Sequence, residues 1–486
     1  MLFKKFLVNL ILFALIFVAN FSAKTFAAEN VTVYWYVCGT DLESNSKFFT
    51  RNFEELQQIP LPENVKFVIQ TGGTKKFHTK NFPDKISARF VYDSQGLKEI
   101  ERLGELDVGS EETLKNFLQF GKENFPADKN IFIFWDHGGG ALFGICVDEI
   151  TEKSLSLNDI KNAFSETYGE KISAAPFELI CFDSCLMATI ETASTLQKFS
   201  NYMVASEEVT PGEGFDYQTF PKYFAETSEV KGDELGKKIC DDFFANCQKF
   251  KTEDTATMSV IDLKKIPELN SAYEKLGYSF WSEANKNPKK FFTALDRIAN
   301  FSEKYSSDET AEVSMNLVDL GDWAQDLKTD AADEFVQAIN NSVLYRVNGS
   351  YRKYGLGISG YFPFDGKTEM LEIYQSVENA PNVFKNLYST MLSGNRDGKA
   401  WFEFDLKKLD GVKVSVDEND IPFVKISPED TEAISNARFQ IYKPENNDFL
   451  FLGSDDKMSV DWEAGIFKED FDGKTPRQME ICLKIF

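Results

Sequence analysis

Between Val31 and Pro221, apolar runs alternate with amphipathic stretches. Val31–Val37, Val65–Thr71, Ile131–Trp135, Leu179–Phe182 and Tyr202–Ser206 are short, mostly apolar and rich in β-branched and aromatic residues. Such runs read as strands buried on both faces, as in a parallel sheet. Glu111–Asn124, Asn158–Tyr168 and Met187–Phe199 carry apolar residues at helical spacing instead. Residues 75–107 alternate in short segments between turn residues, which predicts a hairpin excursion. The alternation of strand and helix predicts an α/β fold with a mostly parallel sheet covered on both faces. In that architecture the ligand crevice lies outside the carboxyl ends of the strands.

Beyond residue 230 the pattern changes. Gly232–Lys249 and Asp330–Tyr345 are long helical stretches, interrupted by strand-like Thr257–Asp262 and Gly355–Phe362, which could extend the sheet. Residues 400–486 alternate apolar and polar positions between turn signals, and Glu480–Phe486 reads as a last strand. The expected organisation is an export signal over 1–27, an α/β core over 28–229, a mainly helical region completing it over 230–398, and a small β-rich C-terminal unit over 399–486.

Two of the predicted strands end in chemistry. His137, one of only two histidines, closes the run Ile131–Trp135 and precedes Gly138-Gly139-Gly140. Cys185 follows it by 48 positions and closes the run Leu179–Phe182. Taken singly, Cys185 reads as an inert buried thiol and His137 as a hydrogen-bonded strand-end imidazole. Together, at matching strand ends, they read as a nucleophile and its general base. A strand turning into a helix at Cys185 would favour the thiolate through the helix dipole. The amides of Gly138 and Cys185 are candidates for an oxyanion hole. Asp183, two residues before Cys185, is expected on the same cleft wall, where a carboxylate attracts a cationic side chain; its plainer reading is a helix cap. The other histidine, His78, sits in the basic, turn-rich segment Lys75–Lys80 and reads as loop.

Composition narrows the partners. A formal charge of −24 disfavours nucleic acid and anionic membranes and favours a basic peptide or protein. Lys4 and Lys5, an apolar stretch from Phe6 to Ala19, and small residues up to Ala27 read as a secretory signal cleaved after Ala27. The stretch is too short for a confident membrane span, so a secreted, periplasmic or cell-surface protein without stable membrane insertion is expected. The 7 cysteines show no framework spacing and no CxxC pair, so neither a disulfide scaffold nor structural zinc is indicated. No metal or cofactor is required by the sequence.

The segments Phe132-Ile-Phe-Trp-Asp-His-Gly-Gly-Gly140 and Cys181-Phe-Asp-Ser-Cys-Leu-Met-Ala188 resemble the clostripain family of cysteine peptidases, in the caspase-like clan. Val204–Tyr217, Leu317–Asp322 and Gly355–Ser359 extend the likeness over roughly residues 30–390. The His-to-Cys spacing is similar to that of caspases, but the caspase Q-A-C signature is absent. Val37–Glu43 sits at the family's acidic turn after the first strand and lacks the usual asparagines. The resemblance implies a caspase-like α/β/α sandwich. It also implies a secreted endopeptidase cleaving after Arg or Lys through a His137–Cys185 dyad, with Asp183 at the base of the primary pocket. Glu207 and Glu208 are the other candidate acids for binding a basic side chain, should Asp183 not supply the charge. The resemblance further implies a zymogen cut between histidine and cysteine; in that interval Lys153 is the basic residue of the polar loop Asp148–Leu155, while Lys161 falls within a predicted helix. Some family members need calcium, but no D-x-D-x-D-G loop places it here. Two other readings compete: a non-catalytic exported adhesion protein on a peptidase scaffold, and an acyl-transfer enzyme.

Overall fold

The computed structural model describes residues 28–306, 315–364 and 366–392, together with 414–418, 421–427, 431, 434, 437–445, 448–455, 458–469 and 480–485. The expected signal segment lies outside these residues. Twelve strands organise the first part: β1 Val31–Cys38, β2 Val65–Gly72, β3 Ser87–Asp93, β4 Gly96–Gly104, β5 Lys129–Trp135, β6 Phe177–Asp183, β7 Ser200–Ala205, β8 Thr257–Asp262, β9 Lys304–Tyr305, β10 Leu317–Asp319, β11 Val343–Asn348 and β12 Ser359–Tyr361. Nine of them form one sheet in the order β11-β8-β7-β6-β5-β1-β2-β3-β4. The five central strands β7, β6, β5, β1 and β2 run parallel, and antiparallel strands flank them on both sides.

The apolar runs are buried on both faces because alternate residues feed two separate cores. Tyr34, Tyr36, Phe132, Phe134, Ile180 and Phe182 point to one side, against the helices Glu111–Asn124 and Leu157–Tyr168. Val33, Trp35, Ile131, Ile133, Leu179 and Cys181 point to the other, against Phe49, Phe53, Phe220 and the helix Gly232–Phe250. The abundant rings interlock: Phe134 stacks on Phe182 at 5.1 Å and Trp35 on Tyr217 at 4.4 Å between centroids. This two-sided packing makes the strand ends rigid supports for whatever follows them.

Three expectations are corrected. The pattern over 330–345 is a helix only to Ser342; Val343–Asn348 is β11, which pairs with β8 at the sheet edge. The helix expected from Met187 begins at Ile190, capped by the Thr189 side chain accepting from Thr192 N. Of the two strand-like pieces, Thr257–Asp262 does extend the sheet, whereas the strand within Gly355–Phe362 joins a separate three-stranded sheet, β12-β10-β9. The C-terminal residues form two antiparallel sheets, from strands β13 Ser415–Val416, β14 Pro422–Lys425, β15 Ala437–Glu445, β16 Asp448–Asp455, β17 Met458–Asp461, β18 Ile466–Glu469 and β19 Glu480–Ile485. Arg297 reaches this region, donating to the carbonyls of Thr431 and Ile434 and lying 3.7 Å over the Trp462 ring.

Candidate active site

Strand register brings the two candidate residues together. β5 and β6 are parallel neighbours with Trp135 opposite Asp183. His137 and Cys185 each lie two residues further on, so both emerge at the same level of the same sheet edge. They line one cleft of about 170 Å³ with Asp183, Trp135, Thr210 and Gly212. Close approach is possible because Gly138 has no side chain: a Cβ there would sit 2.1 Å from the carbonyl oxygen of Cys185. Gly138 is also the wide-spaced partner of Ile145, flanked by the hydrogen bonds Gly139 N to Gly144 O and Cys146 N to His137 O. Its own amide is therefore left over from the local ladder.

The thiol and the imidazole are each held, but not by each other. Cys185 Sγ accepts from Thr210 N at 3.3 Å and lies 3.4 Å from Thr210 Oγ1. Burial pushes the thiol pKa above its ordinary value; Thr210 and the Gly138 amide oppose the rise, and Glu208 adds to it. The helix-dipole expectation is corrected here. Helix Ile190–Leu196 starts five residues after Cys185, and Leu186 between them takes a left-handed φ of 64°. A dipole effect confined to the first turn does not reach that far. His137 Nε2 lies 2.8 Å from Asp41 Oδ1, a contact that sequence reasoning did not assign. Asp41 follows β1, the strand beside β5, and the missing asparagines of its turn obscured it.

Asp183 is not a helix cap. It is buried at the wall of the cleft, where Oδ1 accepts from Phe215 N at 3.1 Å and Oδ2 from Tyr217 Oη at 2.9 Å. Gly214, at φ 60°, closes over it; a Cβ there would lie 2.7 Å from Oδ1. Burial raises the Asp183 pKa to about 7, against the opposing donors Tyr217 and Phe215 and with help from Glu55.

The neighbouring acids do not share the cleft. Glu207 is buried on the far side with Asp319 and Tyr305, and burial followed by the Asp319 charge pushes its pKa well up. Glu208 pairs with Arg352 at 2.7 Å and accepts from Val209 N and Ser306 N. It faces a separate polar cavity behind the ridge Val209–Pro211. Lys153 is exposed at the end of the turn that follows the glycines, 3.3 Å from Asp107, with its carbonyl accepting from Asp148 N. His78 serves its loop: Nε2 bonds Ser44 O and its backbone N donates to Glu43. All six cysteines whose side chains are described are free thiols, and Cys240 and Cys247 pack inside a helix as expected. Among the described residues no cluster of three or more His, Cys, Asp or Glu could hold a metal ion, and no helix is long and apolar enough to cross a membrane.

This arrangement has known relatives. The sequence profile of the clostripain family matches residues 81–410. Clostripain of Hathewaya histolytica is 29% identical over 217 residues, 38% of this chain and 41% of that protein; the match thus spans less than half of the relative's length. Among solved structures, a C11 protease of Parabacteroides distasonis captured as an inactive zymogen covers 73% of this chain and 97% of its own, at 20% identity and a TM-score of 0.51. A secreted C11 cysteine protease of Bacteroides thetaiotaomicron covers 72% of this chain and 100% of its own, at 16% identity and a TM-score of 0.53. These likenesses are of fold, an α/β fold built on a mostly parallel sheet. With His137 and Cys185 inside the matched span, the chain belongs to the clostripain family of cysteine peptidases.

Proposed function

We propose that the protein is a secreted cysteine endopeptidase that cleaves after Arg or Lys. The observation that carries this reading is the single cleft lined by His137, Cys185 and Asp183. Cys185 Sγ attacks the scissile carbonyl carbon while its proton passes to His137. The oxyanion is received by the amides of Gly138 and Cys185, donors of a kind worth about 10²–10³ in rate. His137 returns the proton to the leaving amine, leaving a thioester on Cys185. Water then attacks the thioester, giving a proton to His137, and the carboxylic acid departs as the thiol is restored. Because burial keeps the resting thiol protonated, proton transfer belongs with substrate engagement and the displacement of Thr210 from the sulfur. Asp183, buried in the lining of the cleft, pairs with the cationic side chain that precedes the cut bond.

Maturation fits the same preference. Lys153 precedes Ser154 in the interval between the catalytic residues, and cleavage there would generate a new amino terminus at Ser154. The Lys153 carbonyl is committed to Asp148 N, so the turn must open before the bond reaches a nucleophile. Peptides carrying Arg, Lys, Asp or Asn before a fluorogenic leaving group test the activity. Release after Arg and Lys alone, absent in Cys185→Ala, supports it; equal release by Cys185→Ala rejects it.

A further inference from the structure

Asp41 lies three residues beyond β1, the strand that neighbours β5, as β5 neighbours β6. Three adjacent parallel strands therefore deliver Asp41, His137 and Cys185 in a row at one sheet edge. Accepting His137 as the base, we propose that Asp41 is its positioning residue and completes a Cys185–His137–Asp41 arrangement.

The contact itself specifies a proton. A carboxylate only accepts, so the 2.8 Å approach of Asp41 Oδ1 to His137 Nε2 places a hydrogen on Nε2. In the neutral imidazole the lone pair then belongs to Nδ1, the nitrogen left to take the thiol proton. When His137 becomes cationic, the same carboxylate offsets its charge.

The pairing is built from two consecutive rungs. Thr40 Oγ1 donates to Asp136 Oδ1 at 2.7 Å, and the next residue on each segment makes the Asp41–His137 contact. Asp136 is buried, and burial holds its carboxyl well above the ordinary range. Thr40 reaches this rung with a φ of 42°, unusual for a β-branched residue. Such strain persists only where the surroundings impose it. Here Thr40 N donates to Gly73 O and Thr40 O accepts from Thr74 Oγ1. Buried Glu43 anchors the turn further by accepting from Thr50 N, Thr50 Oγ1 and His78 N. The turn is thus fixed without Asp41, whose side chain is 55% exposed beside a His137 that is 43% exposed. An exposed pair of this kind contributes little to stability, which leaves aiming the imidazole as its use.

The test compares Asp41→Ala and Asp41→Asn with wild type and Cys185→Ala on an Arg fluorogenic peptide. It records kcat and KM separately, the melting temperature, and the rate at which iodoacetamide alkylates Cys185. In Asp41→Ala we expect kcat to fall about 10- to 1,000-fold, less than the roughly 10⁴ lost when a buried triad carboxylate is changed. KM and melting temperature should stay near wild type, and alkylation should slow alongside kcat. Asp41→Asn should recover part of the loss, because its amide oxygen still accepts from Nε2–H. Wild-type kcat in Asp41→Ala, or a loss confined to KM or to melting temperature, would overturn the proposal. A wild type that cuts no basic peptide, or a Cys185→Ala protein that equals it, overturns the peptidase reading itself and this proposal with it.

Discussion

Asp183 should make recognition of a basic residue depend on pH in a way separable from the catalytic groups. Its pKa in the empty cleft is raised to about 7, first by burial. At pH 5, two units lower, only about one cleft in a hundred carries the carboxylate, and the charged form gains roughly tenfold per unit up to pH 7. A cationic side chain needs that charge; a citrulline side chain, nearly the same shape but neutral, does not. The ratio of kcat/KM for Arg over citrulline peptides cancels the pH dependence of the cleavage step, which is common to both. The ratio should rise about 50-fold from pH 5 to pH 7 and level off near 100-fold above pH 8. Asp183→Asn should flatten it and cost the Arg peptide about 2–5 kcal/mol at pH 8, the usual loss when one member of a buried charge pair is removed. The neutral empty pocket also sets a sign for stability. A raised carboxyl pKa contributes stability at low pH that is lost as pH rises from about 4 to 7, so Asp183→Asn should melt higher than wild type at pH 8. A ratio that stays flat in wild type, or stays high in Asp183→Asn, would refute the assignment of this carboxylate to the pocket.

Other outcomes follow from the same geometry. Cys185→Ala and His137→Ala should each abolish cleavage with melting unchanged, since nucleophile and base act as a unit; His78→Ala should keep kcat and lose only about 1 kcal/mol of stability from its bond to Ser44. Gly138→Ala should reduce kcat/KM by about 100-fold or more in soluble protein, because the added carbon meets the Cys185 carbonyl at 2.1 Å; near-wild-type activity would show that the strand ends can part freely. Glu191, whose pKa burial raises to about 7, should behave as a stability switch: Glu191→Gln is expected to be near neutral at pH 4 and stabilising by on the order of 3 kcal/mol at pH 8, read by denaturant unfolding. Lys153→Ala should slow or prevent conversion to two fragments, and amino-terminal sequencing that finds a fully active single chain would refute processing there.

The sequence was most legible where packing imposes one period. Glu111–Asn124 and Thr257–Asp262 have the expected bounds, because a helix stripe and a doubly buried strand leave no alternative face. It was least legible at edges. Val343–Asn348 alternates buried and exposed positions on an outer strand and was absorbed into the preceding helix. The residues after Cys185 carry helix-compatible side chains, but Leu186 turns left-handed and delays the helix to Ile190. At the site, His137, Cys185 and Asp183 stood out because they end apolar runs. Glu207 and Glu208, adjacent in sequence, are sent to different surroundings by Asp319 and Arg352, which no local pattern reveals. Thr210 was missed, and Asp41 was left without a role for want of the asparagines usual in its turn; each is an ordinary polar residue whose meaning comes only from the atom it meets.

The most direct test of the central claim is to find which atom a substrate-like electrophile captures. An Arg-containing peptide acyloxymethyl ketone should inactivate the purified protein in proportion to covalent labelling. Peptide mapping by mass spectrometry should place the adduct on Cys185, with labelling slowed in Asp183→Asn and lost in Cys185→Ala. An adduct on a different cysteine, or full peptide hydrolysis after Cys185 has been quantitatively labelled, would contradict it.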